Sequence, residues 1–216
     1  MKFKLNYKQY SDFINITNNV FYPLKNFVNE QEFNSILRKQ KIKNKFFPFP
    51  IFFGLKKKQY NEIKNEKKIT LFYKSTSIAT VNNLEFFSIN PKLFGEKIFG
   101  KKFYNHPYYK VFIKENFIFL RFNIAKKFKY KIEFKEFVSP ISFKRRIKKI
   151  KKIASFHTRN VPHNAHLWIH KLLLKKFKSL LIQPLIGQYK KGEYRDSVIM
   201  KTNIKASKIL KNRNVF

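Results

Sequence analysis

Residues 156–166 read FHTRNVPHNAH. Six side chains able to hold an anion (His157, Thr158, Arg159, Asn160, His163 and His166) fall within ten positions. A guanidinium presents a planar fork of N–H donors that grips two oxygens of a phosphate or sulfate at once. Imidazole, hydroxyl and amide groups add further donors. The set therefore suits the binding of phosphate-like groups. The chain has no cysteine, which excludes disulfides and thiolate metal sites. No carboxylate lies inside the cluster, so the histidines make a poor zinc set, and no protein-bound metal is expected.

The elements around this segment must present it. Residues 151–156 (KKIASF) read as a short strand and 162–177 (PHNAHLWIHKLLLKKF) as a helix. Pro162 fits the first turn of that helix, and Leu167, Ile169, Leu172, Leu173 and Leu174 make its apolar side. Trp168 and the leucine run are assigned to the core, and His170, one turn beyond His166, to a solvated face. Residues 179–186 (SLLIQPLI) read as a second strand, ended by Gly187, and 196–210 as another helix. Strand, helix, strand, helix in this order is a βαβ unit of a parallel sheet. The anion-binding segment then lies where a strand hands over to a helix, the crevice in which ligands bind in open α/β sheets. The start of the helix adds unpaired N–H groups and a positive dipole end, which favour phosphate near His163 and His166.

Upstream the pattern differs. Residues 1–20 are polar and poorly patterned. Residues 22–38 read as a turn and a helix, with Asn29 as cap, Glu30 and Glu32 in the first turn, and Phe33, Ile36 and Leu37 on one face. Residues 46–55 hold two prolines and suit an edge strand or extended segment. Residues 69–73, 77–81 and 116–122 are short strand candidates, with a turn at 74–76, and His106 before Pro107 reads as a turn residue. The first 140 or so residues thus read as mostly short strands with a few helices, and 142–150 as a basic helix with a solvated face.

Composition constrains the partners. The formal charge is +36, yet 41 of the 48 cations are lysine and they spread along the chain. Phe, Lys, Ile and Asn are abundant while Gly is scarce, the signature of A/T-rich codons, so drift accounts for the excess without a nucleic-acid ligand. No apolar run reaches the roughly eighteen residues of a membrane span, and the polar start lacks the core of a signal peptide. A cytoplasmic protein is the default expectation.

Several segments together resemble the sulfate adenylyltransferase (ATP sulfurylase) family. HTRNVPHNAH is similar to its Gln-Thr-Arg-Asn, proline, His-x-x-His signature. LLIQPLIGQYKKGEY resembles its next strand and loop, with Gly187, Lys190, Gly192 and Glu193 in matching places. Upstream, YPLKNFVNEQEFNSIL, FPFPIFFGL and NHPYY resemble further family segments, in collinear order over roughly residues 20–210. His157 stands for a family Gln, Gln183 for a His, Ile199 for an Arg and Asn26 for a Gly.

The resemblance implies a mixed α+β and α/β protein: a PUA-like, β-rich N-terminal domain (1–145), then a partial Rossmann-like nucleotidyltransferase domain (146–216). It implies ATP and sulfate as substrates, adenylyl sulfate and pyrophosphate as products, and Mg²⁺ arriving with ATP. Thr158, Arg159 and Asn160 would be catalytic. His157, Arg159, His163 and His166 would bind ATP, and His157 and Arg159 sulfate. The family's catalytic domain continues past the point where this chain stops, so a homo-oligomer or a complementing chain stays open. Two alternatives to the enzyme also stand: a non-catalytic remnant, and a basic RNA-binding or ribosome-associated protein.

Overall fold

A computed structural model describes residues 1–128, 137–187, 192, 194–211 and 214–216. It forms two compact units, Met1–Phe143 and Lys144–Phe216.

The first unit runs β1 (Lys2–Lys4), α1 (Tyr7–Thr17), α2 (Glu30–Lys39), β2 (Lys41–Ile42), β3 (Lys45–Phe46), β4 (Phe53–Leu55), α3 (Lys57–Ile63), β5 (Lys68–Tyr73), β6 (Thr76–Phe87), α4 (Pro91–Phe99), α5 (Pro107–Glu115) and β7 (Ile118–Lys127). Five strands form a sheet in the order β1-β5-β6-β7-β4, antiparallel except for the β1–β5 pair. β4 is an edge strand, as its proline-rich approach requires.

Two expectations change. The polar start holds β1 and α1, the latter opened by a reciprocal Asn6–Gln9 capping box. β6 is twelve residues long, not a short strand; two irregularities in its pairing with β7 let it bend, and Asn83, within the second of them, takes a positive φ of 51°. His106 caps α5, accepting from the Tyr108 N–H at 3.2 Å, and stacks on Phe99.

The core is phenylalanine. Phe33, fully buried on α2, meets the rings of Phe52, Phe87, Phe94 and Phe119 at 5.8–6.3 Å. The helix that carries it starts as the sequence indicates. The Asn29 side chain accepts from the Glu32 N–H at 2.8 Å, and Glu32 accepts from the Asn29 N–H at 3.2 Å. Glu32 also pairs with Arg121 of β7 at 3.2 Å, so the cap is tied to the sheet. Replacing Asn29 by Ala is expected to cost about 1 kcal/mol of unfolding free energy, measured by urea denaturation.

The second unit comprises α6 (Pro140–Arg146, which opens before the boundary), β8 (Ala154–Thr158), α7 (Asn164–Phe177), β9 (Leu180–Pro184) and α8 (Asp196–Ile209). The basic helix is thus shorter than its sequence suggests: α6 stops at Arg146, and a turn at 147–149 and a bend at Lys151 follow. β8 starts three residues later than expected and extends to Thr158. β8 and β9 pair in parallel, from Ala154 opposite Leu180 to Thr158 opposite Pro184. On the other side of β9 the terminal residues join in parallel: Phe216 donates to the Leu180 carbonyl at 2.9 Å and Ile182 to that of Phe216 at 2.8 Å. The expected strand–helix–strand–helix order is present, with β9 flanked on both edges. Ala154, Leu174 and Leu180 centre a small core, with Phe156, Leu173, Phe177 and Ile182 against it. Among the described residues, no helix is long and apolar enough to cross a membrane.

Candidate functional site

Strand alternation sorts the residues of β8 onto two faces. Phe156 turns towards α7, where its ring lies edge-on to His170 at 4.7 Å and to His166 at 5.6 Å. Ser155 and His157 lie on the opposite face, and His157 is exposed. Gln183 pairs with His157 in the strand register and receives a 2.6 Å hydrogen bond involving the Ser155 hydroxyl.

The chain turns sharply after β8. Thr158 is buried; its carbonyl accepts from the Leu185 N–H at 2.7 Å, and its Oγ1 accepts from the Asn160 N–H at 3.0 Å. This turn leaves Arg159 and Asn160 exposed at the carboxyl end of the strand. Asn203, buried on α8, donates to the Asn160 carbonyl at 3.5 Å and to the Ile199 carbonyl at 2.8 Å. Thr158 and Asn160 are therefore held by these bonds, and Arg159 between them is exposed.

Pro162 precedes the helix rather than sitting in its first turn, because His163 is the N-cap, in an extended conformation. One turn on, His166 Nδ1 accepts from the His163 N–H at 3.4 Å, and the two rings lie 4.1 Å apart. That bond places the His166 proton on Nε2, leaving an N–H to donate. Partial burial, and next the neighbouring His163, lower the His166 pKa below its ordinary 6.5, so the ring is a neutral donor near pH 7. The structure thus brings the predicted residues together around one strand-to-helix turn: Arg159 at its tip, His163 and His166 at the helix start.

The following loop begins at Gly187, whose N–H donates to Asp196 at the start of α8 at 3.1 Å. Gly192 is exposed with φ 93°, a conformation that favours glycine. Lys190 and Glu193 lie outside the described residues.

Two assignments on α7 are reversed. Trp168 is 64% exposed and Leu172 50% exposed, so neither belongs to the core, while His170 is 1% exposed. The sheet meets the helix along His166, His170, Leu173 and Leu174, a stripe one step round from the expected one. A Trp168→Ala substitution is accordingly expected to change unfolding free energy by less than about 0.5 kcal/mol, against the roughly 3–5 kcal/mol typical of a buried tryptophan; urea denaturation followed by far-UV circular dichroism distinguishes the two.

Sequence reasoning also missed Asn203 and Asp196 as residues that fix the loops. Asp196 carried a signal, since an acid in the first turn marks a helix start. Asn203 carried none, because its role depends on residues more than forty positions away.

Residues 1–120 match the PUA-like domain family and residues 137–215 the ATP-sulfurylase family. The sulfate adenylyltransferase of Pyrococcus abyssi (strain GE5 / Orsay) is 28% identical over 207 residues, covering 93% of this chain and 53% of the relative. Those of Ignicoccus hospitalis and Thermococcus onnurineus are also 28% identical, over 88% and 92% of this chain and 51% and 52% of their own lengths. The chain spans about half the length of the curated relatives it matches. The hexameric APS kinase from Thiobacillus denitrificans has a similar fold, with a TM-score of 0.67 at 11% identity over 99% of this chain and 40% of that one.

Proposed function

Because the chain belongs to the sulfate adenylyltransferase (ATP sulfurylase) family, we propose that the crevice after β8 binds ATP and sulfate and serves adenylyl transfer between them. One observation carries the reading: an exposed guanidinium and a neutral imidazole donor flank a turn that opens onto a helix N-terminus.

In this reaction a sulfate oxygen bonds to the α-phosphorus of ATP. The bond from that phosphorus to the bridging oxygen breaks, and pyrophosphate leaves with the electron pair. No proton must move and no covalent enzyme intermediate is needed, so catalysis rests on placement and charge. Two unit anions held about 4 Å apart repel by about 4 kcal/mol at an effective dielectric near 20. Arg159, placed between sulfate and α-phosphate, offsets much of that repulsion. His157 holds sulfate or phosphate oxygens from the neighbouring strand position. Thr158 shapes the turn through Oγ1 and keeps its O–H to donate, and Asn160 adds its amide. His163 and His166, with the α7 N-terminus, take the triphosphate and stabilise charge growing on pyrophosphate. Mg²⁺ enters as part of the substrate, bound to ATP.

The test is pyrophosphate release from MgATP, with and without sulfate, together with ATP formation from adenylyl sulfate and pyrophosphate. Sulfate-dependent release is the expected result; binding of neither ATP nor adenylyl sulfate rejects the assignment. A second reading, a nucleotide-binding remnant, is favoured by Ile199, buried at a position where the family has Arg. ATP binding without turnover in either direction selects it.

A further inference from the structure

The charge of the second unit is not the diffuse lysine excess of the rest of the chain. Lys144–Phe216 holds 20 Lys and Arg against two acidic residues, whereas the first 143 residues hold 28 against ten. No Asp or Glu occurs anywhere from 137 to 192. Within this stretch seven of the nine residues 144–152 (KRRIKKIKK) are cations, and all seven are exposed. Two of the chain's seven arginines stand side by side here, where codon drift towards lysine would remove them.

The shape of the segment narrows the ligand. α6 ends at Arg146 and turns follow, so the cations line no continuous helix face. Ile147 and Ile150 are half-buried, so the segment offers a membrane no bulky apolar side chain to insert. It has no aromatic residue to stack on a base and no helix long enough to fill a major groove. What remains is a dense run of cations ahead of β8 in the chain, complementary to a repeating line of phosphates.

We propose that residues 144–152 bind the phosphodiester backbone of nucleic acid without reading its sequence, an activity separate from adenylyl transfer. Backbone binding releases counterions, so affinity falls with salt at a log–log slope of about −0.7 per phosphate contacted on a single strand and about −0.9 on a duplex.

The test measures binding of the full chain to a fluorescein-labelled RNA 20-mer and to a duplex DNA of the same length, by anisotropy over a salt series. Two variants are matched in charge loss. One replaces Arg145, Arg146, Lys148, Lys149, Lys151 and Lys152 by Gln. The other replaces Lys57, Lys58, Lys64, Lys67, Lys92 and Lys110, exposed lysines scattered over the first unit. The wild type is expected to bind with a salt slope of about −3 to −5, compatible with up to seven contacts on a single strand. The first variant should lose at least about tenfold in affinity and most of that slope, and the second should keep both. Circular dichroism checks that each variant is folded. Equal losses in the two variants would mean that only net charge matters, and would overturn the proposal. So would a scrambled 20-mer bound much more weakly than the first, or binding to phosphatidylserine vesicles with none to RNA or DNA.

Discussion

Arg159→Ala lowers sulfate-dependent pyrophosphate release by at least about 100- to 1,000-fold, the cost of removing one preorganised donor from a developing anionic transition state. Arg159 is exposed at the tip of a turn whose shape is kept by other groups. Thr158 Oγ1 holds the Asn160 N–H, and Asn203 holds the Asn160 carbonyl. The substitution should therefore leave the unfolding transition close to that of the parent chain, separating lost chemistry from lost fold. Arg159→Lys restores charge but not the planar fork, so it should recover only part of the rate. A variant with near-normal turnover would remove Arg159 from the mechanism.

The second large effect concerns stability. His170 is buried, and among the described residues neither ring nitrogen has a hydrogen-bond partner. Burial, and next the neighbouring His166, push its pKa below the ordinary 6.5. The Phe156 ring from β8 packs edge-on against it and His166 acts on it from its own helix; among the described residues no carboxylate offsets a charge there. Lowering the pKa in the fold means that the unfolded chain binds the proton more tightly. The fold has its full stability above about pH 6.5 and loses up to about 1.4 kcal/mol per pH unit as the pH falls from there towards the folded-state pKa. His166 is shifted in the same direction and adds to the trend in a smaller, solvent-screened way.

His170→Phe removes the buried unpaired nitrogens while keeping a ring against Phe156. It is expected to flatten the pH dependence and to equal or exceed wild-type stability near pH 7, since replacing an unsatisfied polar group by an apolar one of similar shape is neutral or favourable. His170→Met, which fills space flexibly, guards against a poor fit of the larger ring. Urea denaturation followed by far-UV circular dichroism gives the stability of wild type and both variants across the pH range. If wild type and both variants lose stability in parallel between about pH 8 and about pH 5, His170 is not the source.

Much of the candidate site was written in short-range chemistry. Asn29 and Glu32 lie three positions apart and cap α2 whatever surrounds them. The strand–helix–strand–helix order of the second unit follows from apolar runs and breakers, and that order alone brings Arg159, His163 and His166 to one strand-to-helix turn. The Asn6–Gln9 box at the head of α1 was equally local, but the polar composition of the helix hid it.

The tertiary structure alone decided which side of α7 faces inward. Leucine, isoleucine and tryptophan surround that helix on several sides, so its pattern permits more than one buried stripe. The choice falls to Phe156 and Ile182, brought side by side by pairing strands 26 residues apart, and to the shape of the face they present. That face accepts His170 and leaves Trp168 in water. Propensities and caps act over three or four residues and are legible in the chain. The direction in which a helix rolls onto a sheet is set by contacts between segments that meet only when the chain is folded.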